Sequence, residues 1–305
     1  MIYGIIDVGS NTIRLNIYSY QEYQIKSLLH KKVMAGLAGY VVDGYLSPKG
    51  IKLACATISD FQNILNNFDI KHIYMFATAS LRNIVNTDEA IQNIREYTGL
   101  HVDVISGEEE ATLGFTGASY ELDMKTGLFI DIGGGSTELV EFSNGQITRA
   151  VSMPIGSLSM YSQHVNKLFP KEEERVIIQQ EVLKELNKLG QGQNKAYSLI
   201  CGVGGNIRAT KKLNNHLLSE GEIVNDFQVK NIQEILSLLN KVNKKSLRRL
   251  LQVVPDRIHT IIPGMIILDT IAQYYSSDTV CVSSYGVREG YLYSKVLKEG
   301  SRDEN

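Results

Sequence analysis

The sequence repeats itself, and the repeat limits the fold more than any other feature. Residues Ile6-Asp7-Val8-Gly9-Ser10-Asn11-Thr12-Ile13-Arg14-Leu15 reappear 124 positions later as Ile130-Asp131-Ile132-Gly133-Gly134-Gly135-Ser136-Thr137-Glu138-Leu139. Each copy reads as an apolar strand, an Asp-x-Gly turn and a second strand, and each continues into a third. Recurrence at about one domain length points to duplicated domains. The length of 305 residues agrees, because about 150 residues is a usual size for one core. The expected architecture is α/β, with domains over 1–124 and 125–305 and the boundary near Met124.

Strand and helix patterns alternate around both copies. Strands are expected over 2–8, 12–19, 24–35 and 72–77. Ser47 and Pro48 read as the cap and first residue of a helix carrying Ile51, Ala54, Ile58, Phe61 and Leu65 at helical spacing. A further helix runs from Thr87 to Thr98 and stops at Gly99, a short strand follows over 101–105, and Glu108 opens another helix. After the second copy, Asn144-Gly145 reads as a hairpin turn. A long helix is expected between Pro170 and Gly190, with a strand over 198–202.

Composition serves mainly to exclude. With 43% hydrophobic residues the chain is not disordered, and a net charge of −2 gives no global pull toward nucleic acid or acidic lipid. A polyanionic ligand would need a local site. The start, MIYGIIDVGS, has no basic leader, and Pro263 and Gly264 interrupt the apolar run 261–268. A cytoplasmic protein off the membrane is expected, and a homodimer is compatible with the sequence. Cys55, Cys201 and Cys281 have no metal-type spacing and read as buried free thiols. His30, His72, His101, His164, His216 and His259 are scattered and read as structural.

An Asp at a strand end followed by glycines has a mechanical reading. Glycine lets a ligand approach the backbone, and successive N–H groups can form an anion nest. A carboxylate beside a phosphate makes sense when Mg²⁺ lies between them. Ser10, Asn11, Thr12, Ser136 and Thr137 add short donors. Either copy alone reads as an ordinary hairpin, whereas the pair together favours two phosphate loops facing a cleft between similar domains.

Four other features are candidates. Gly202-Val203-Gly204-Gly205-Asn206-Ile207-Arg208 fails as a dinucleotide fingerprint, since Ile207 replaces the third glycine. Gly204 and Gly205 could pack on a phosphate or nucleoside, or simply turn a strand into a helix. Glu108, Glu109 and Glu110 begin a helix about 100° apart, so they cannot share one direction. They read as a solvated acidic turn or as one inward-facing general base. Arg82, just past a strand end, suits phosphate. Lys244, Lys245, Arg248 and Arg249 read as a solvated face or a polyanion entry path.

At these residues the chain resembles the exopolyphosphatase and guanosine pentaphosphate phosphatase (Ppx/GppA) family. The resemblance is carried by Asp7-x-Gly-Ser-Asn-Thr-x-Arg-Leu, Ile105-Ser-Gly-Glu-Glu-Glu-Ala, Asp131-x-Gly-Gly-Gly-Ser-Thr-Glu-Leu, Gly202-x-Gly-Gly-Asn-Ile, Pro263-Gly264 and Gly286-Val-Arg-Glu-Gly290. It implies two ribonuclease-H-like domains of the actin, sugar kinase and chaperone ATPase superfamily, with the ligand in the cleft. It also implies Mg²⁺- or Mn²⁺-dependent hydrolysis of inorganic polyphosphate, with pppGpp as the alternative substrate. By motif, Glu110 corresponds to the residue that activates water. Asp131 and Glu138 match the acids around metal and water, and Asp7 matches their counterpart in the first turn. Ser10, Asn11, Gly133, Gly134, Gly135, Ser136 and Arg82 match phosphate contacts. Thr112 departs from the charged residue that often follows Glu-Glu-Ala. The length is that of the short family members. An ATP-dependent switch and a non-catalytic polyphosphate or nucleotide sensor are the readings from other classes.

Overall fold

Alternating apolar residues make the first repeat a meander of β1 (Ile2–Val8), β2 (Ile13–Gln21) and β3 (Gln24–Val33). A short ladder, β4 (Val41–Val42) with β5 (Tyr45–Leu46), leads into α1 (Pro48–Asn67). Ser47 caps α1 by accepting the Gly50 N–H at 3.4 Å, and Pro48 starts it. β6 (His72–Ala77), α2 (Ala79–Arg82), α3 (Thr87–Thr98) and β7 (Asp103–Val104) follow. Gly99 ends α3 with φ 72°, a conformation glycine adopts without penalty. The computed structural model describes residues 1–190, 195–219, 224–240 and 244–297.

The second repeat begins after α4 (Gly107–Ser119) and forms β8 (Thr126–Ile132), β9 (Thr137–Ser143) and β10 (Gln146–Met153). Asn144 and Gly145 both have positive φ, at 52° and 71°, as a two-residue hairpin requires. Then come α5 (Ser157–His164), α6 (Glu172–Lys188), β11 (Leu199–Val203), α7 (Gly204–Leu217), β12 (Asp226–Gln228), α8 (Val229–Leu238), α9 (Lys244–Val253), α10 (Ile261–Tyr274), β13 (Thr279–Val282) and α11 (Val287–Tyr291).

The duplication extends to topology. One sheet has the order β3-β2-β1-β6-β7, and the other repeats it as β10-β9-β8-β11-β13 with β12 added antiparallel at the edge. In each sheet the antiparallel meander comes first and the later strands join in parallel.

The chain divides into two compact units, Met1–Glu109 and Glu110–Asn305. The division precedes Met124 because α4 packs into the second core. Its Ala111, Phe115 and Ala118 lie against Phe129, Val140, Phe142, Cys201 and Val203. The opposite sheet face, with Leu128, Ile130, Ile132 and Leu139, is covered by α6, α7, α8 and α10 through Ile178, Ile207, Ile232 and Ile267. In the first unit α1 buries Ile51, Ala54, Ile58, Phe61 and Leu65 against Ile6, Val8 and Leu15. Among the described residues no helix is long and apolar enough to cross a membrane.

Candidate active site

The two acids of the second repeat meet through strand register. Asp131 on β8 lies opposite Glu138 on β9, which in turn lies opposite Ser152 on β10. Cross-strand partners share a face, so the side chains form one row on the side that α4 covers. Ser152 Oγ donates to Glu138 Oε1 at 2.8 Å.

The run at the start of α4 separates into three roles. Ser106 Oγ accepts the Glu109 N–H at 3.1 Å, and the Glu109 carboxylate accepts the Ser106 N–H at 3.4 Å. That reciprocal capping box occupies Glu109, and Glu108 is exposed. Glu110, a further 100° round the helix, is the buried member at 8% exposure.

Glu138 is only 1% exposed. Burial, followed by the negative charges of Glu110 and Asp131, holds its carboxyl well above the ordinary 4.5, with partial relief from the Ser136 and Ser152 hydroxyls. Glu141, three residues along the same strand, is buried too but has basic company. Its carboxylate lies 2.5 Å from Lys195 Nζ and 3.6 Å from Arg149 Nη1, and it accepts the Tyr197 hydroxyl at 2.9 Å. At Glu138 it is burial and the two neighbouring carboxylates that dominate, and a strongly perturbed buried carboxyl of this kind marks a candidate functional site.

That cost gives a stability prediction. A carboxyl raised in the folded chain binds its proton more tightly than in the unfolded chain, so stability falls as pH rises from about 4.5 through the raised value. Glu138→Gln removes the titration. With a chelator present, the variant should melt above wild type at pH 7.5 and match it near pH 4. A lower melting temperature at pH 7.5 would contradict this electrostatic account.

Both repeat turns share one backbone plan. Gly9 N–H donates to Thr12 O at 3.2 Å, and Gly133 N–H donates to Ser136 O at 2.9 Å. The tip carbonyls turn inward. Ser10 O and Asn11 O accept the N–H groups of Ala38 and Gly36, while Gly133 O and Gly134 O accept those of Ser157, Leu158 and Ser159 at the start of α5. Gly156 permits this approach, since a Cβ there would sit 2.3 Å from Gly134 O. Among the described residues the amides of Ser10, Asn11, Gly134 and Gly135 donate no hydrogen bond. Each turn therefore presents an anion nest.

The flanking charges diverge. Asp7 lies opposite Arg14 with an ion pair at 3.5 Å, whereas Asp131 lies opposite Glu138. Arg14 occupies the repeat position of Glu138. The second turn is the acidic one.

Other sequence candidates have protein partners. Thr12 is buried with its hydroxyl donated to Met34 Sδ at 3.4 Å, and Ser136 bonds Glu138. Arg82 is half-buried at the end of α2 and donates to Ile105 O at 3.1 Å. A Cβ on Gly204, whose φ is 84°, would lie 2.2 Å from Asp131 Oδ1, and one on Gly205 would lie 1.7 Å from Arg257 Nη2. Those two glycines make room for Asp131 and Arg257, which explains the turn without a nucleoside. Sequence reasoning passed over Arg257; its only signal was its place just before the apolar run. Arg248 and Arg249 on α9 are exposed.

The pose of α4 is fixed by close packing. A Cβ on Gly117 would lie 2.0 Å from Gly286 O, and one on Gly290 would lie 1.8 Å from Leu113 O. Past the end of α4, Glu121 accepts Ser283 Oγ at 2.5 Å and the N–H groups of Ser284 and Tyr285 at 2.6 and 3.1 Å. Although burial opposes ionisation, these bonds keep the Glu121 carboxyl below its ordinary value.

Comparison with known proteins gives the lineage. The model of the Ppx/GppA phosphatase family matches residues 17–299. The bifunctional 3-dehydroquinate synthase/phosphatase of Fusobacterium nucleatum is 30% identical over 91% of this chain and 44% of its own. Retrograde regulation protein 2 of Saccharomyces cerevisiae is 26% identical over 97% of this chain and 56% of its own. The chain thus spans about half the length of the curated relatives it matches. Among solved structures, the Aquifex aeolicus Ppx/GppA family member superposes with TM-score 0.81 at 25% identity, covering 98% of both chains. An exopolyphosphatase from Cytophaga hutchinsonii does so with TM-score 0.85 at 23% identity and the same coverage. With the family match covering residues 17–299, and so Glu110, Asp131 and Glu138, this chain belongs to the Ppx/GppA phosphatase family.

Proposed function

We propose that this phosphatase removes terminal orthophosphate from inorganic polyphosphate with Mg²⁺ or Mn²⁺ bound. The observation that carries the reading is the buried Glu110 beside the Asp131–Glu138 pair, in the unit whose Gly134 and Gly135 amides are unbonded. The Glu110 carboxylate takes a proton from water as that water attacks the terminal phosphorus. The tip amides meet the charge that develops on the phosphoryl oxygens. In the second unit Arg257 binds phosphates of the polymer; in the first unit, taken by itself, Arg82 and the amides of Ser10 and Asn11 are its phosphate-binding groups.

The donor set fits a hard divalent cation. Asp131 and Glu138 are oxygen ligands whose mutual repulsion a cation would offset. Among the described residues no three acidic, His or Cys side chains close into a metal set. Mg²⁺ commonly uses only one or two carboxylates, completing its shell with water and phosphate. Asp131 and Glu138 would hold it; Asp7 is committed to Arg14. Once bound, the ion supplies neutralisation of phosphate charge.

Polyphosphate is favoured over pppGpp because the one element offered to a guanosine, the turn at Gly204–Gly205, is filled by Asp131 and Arg257. Phosphate release from a mid-length polyphosphate, pppGpp and ATP, with and without Mg²⁺, tests the reading. The expected order of kcat/KM is polyphosphate, then pppGpp, then ATP. Equal values for the first two would favour the guanosine phosphatase, and no release from any would favour the sensor. Arg257→Ala should raise the polyphosphate KM by about tenfold or more with the fold intact, the scale of one lost charge-assisted hydrogen bond. An unchanged KM would remove Arg257 from the binding surface.

A further inference from the structure

Two of the three cysteines stand side by side. β11 and β13 run parallel in the register Cys201↔Cys281, so both side chains leave the same sheet face. Neighbouring strands are about 4.8 Å apart, inside the Cα separation of about 4.4–6.8 Å that a disulfide accepts. Both thiols are free; Cys201 is buried and Cys281 is half-buried. Cys201 lies in the core cluster under α4, and Cys281 borders it.

We propose that Cys201 and Cys281 are a peroxide-sensitive thiol pair whose disulfide reversibly shuts down the adjoining acid site. The Cys201 S–H donates to Cys281 Sγ, which holds the Cys281 thiol below its ordinary value and, with burial, the Cys201 thiol well above. Asp226, opposite Cys281 on β12, works against ionisation but not enough to reverse it. The more accessible sulfur is therefore the nucleophile and the buried one the resolving thiol.

The chemistry balances with hydrogen peroxide. The Cys281 thiolate attacks one peroxide oxygen; an S–O bond forms, the O–O bond breaks, and hydroxide leaves and is protonated to water. The Cys201 sulfur then attacks the sulfenic sulfur; the S–S bond forms, the S–O bond breaks, and a second water leaves. The two sulfurs lose two electrons and the peroxide gains them.

The consequence follows from strand spacing. A disulfide holds its Cβ atoms about 3.8 Å apart, so the two side chains, on strands about 4.8 Å apart, must lean together and the strands adjust their local twist. That shift falls three residues before Gly204, where a Cβ would already lie 2.2 Å from Asp131 Oδ1. With so little room beside Gly204, a change in β11 is transmitted to Asp131, which β11 meets at Val203. The same strain makes the bond easy to reduce, as a switch requires.

The test uses the full chain treated with hydrogen peroxide, alkylated and mapped by mass spectrometry. The expected result is a loss of about 2 Da, a linked Cys201–Cys281 peptide, and Cys55 still alkylated. Phosphate release should fall at least about fivefold, and amide exchange over 202–208 should quicken; dithiothreitol should restore both. Cys281→Ser should show neither linkage nor inhibition, and Cys201→Ala should leave a sulfenic acid on Cys281 that a 1,3-dione traps. Cys201 and Cys281 both still alkylatable after excess peroxide would overturn the pair. Linkage with unchanged exchange and unchanged phosphate release would overturn the switch.

Discussion

Glu110→Gln should lower polyphosphate turnover by at least about 10²-fold while leaving KM within about twofold. Glutamine keeps the shape of the side chain at the start of α4 but cannot take a proton. Neither neighbour can substitute, because Glu109 is held in the capping box with Ser106 and Glu108 is exposed. The variant should also fold well, since it removes one of the two charges that raise Glu138. Turnover near that of the wild type would eliminate Glu110 as the base. A rise in KM at unchanged kcat would make it a binding group instead.

Gly290→Ala and Gly117→Ala should each cost about 3 kcal/mol or more, the upper end for overpacking. The added Cβ meets backbone in both cases, Leu113 O at 1.8 Å and Gly286 O at 2.0 Å, so no side chain can move aside. Melting temperatures should fall by about 6–12 °C. The folded fraction should also turn over more slowly, because α4 can make room only by shifting the helix that carries Glu110. Thermal unfolding with kinetics below the transition checks both. A melting temperature within about 2 °C of wild type would show that the two helices are not in backbone contact.

Much of the fold was legible because its signals are local. Ser47-Pro48, Gly99 and Asn144-Gly145 each fix a terminus or turn through one or two residues, and the structure has them where the pattern put them. The repeat gave the two-sheet architecture, and aligning its copies already set Arg14 against Glu138. That contrast sets an aspartate facing an arginine against an aspartate facing a glutamate, yet it acquires meaning only once strand register is known. The start of α4 could be narrowed to one inward acid but not assigned, since the choice depends on the Ser106–Glu109 box. Met124 marked the strand restart, whereas the packing of Ala111, Phe115 and Ala118 draws α4 into the second unit. Arg257 was invisible because its contact with Gly205 spans 52 residues of sequence. The Gly202–Arg208 turn left two readings open for the same reason: its glycines lie against Asp131 and Arg257, both distant in the chain.

The central claim is that water, activated by Glu110 in the acid row, cleaves the terminal phosphoanhydride bond. Reaction of a mid-length polyphosphate in ¹⁸O-labelled water tests it most directly. Every orthophosphate released should carry a single ¹⁸O atom, with the shortened polymer unlabelled at its remaining bridges, and Glu110→Gln should slow formation of the labelled product by at least about 10²-fold. Unlabelled orthophosphate, label-free transfer to another acceptor, or labelled product from Glu110→Gln at the wild-type rate would contradict the account.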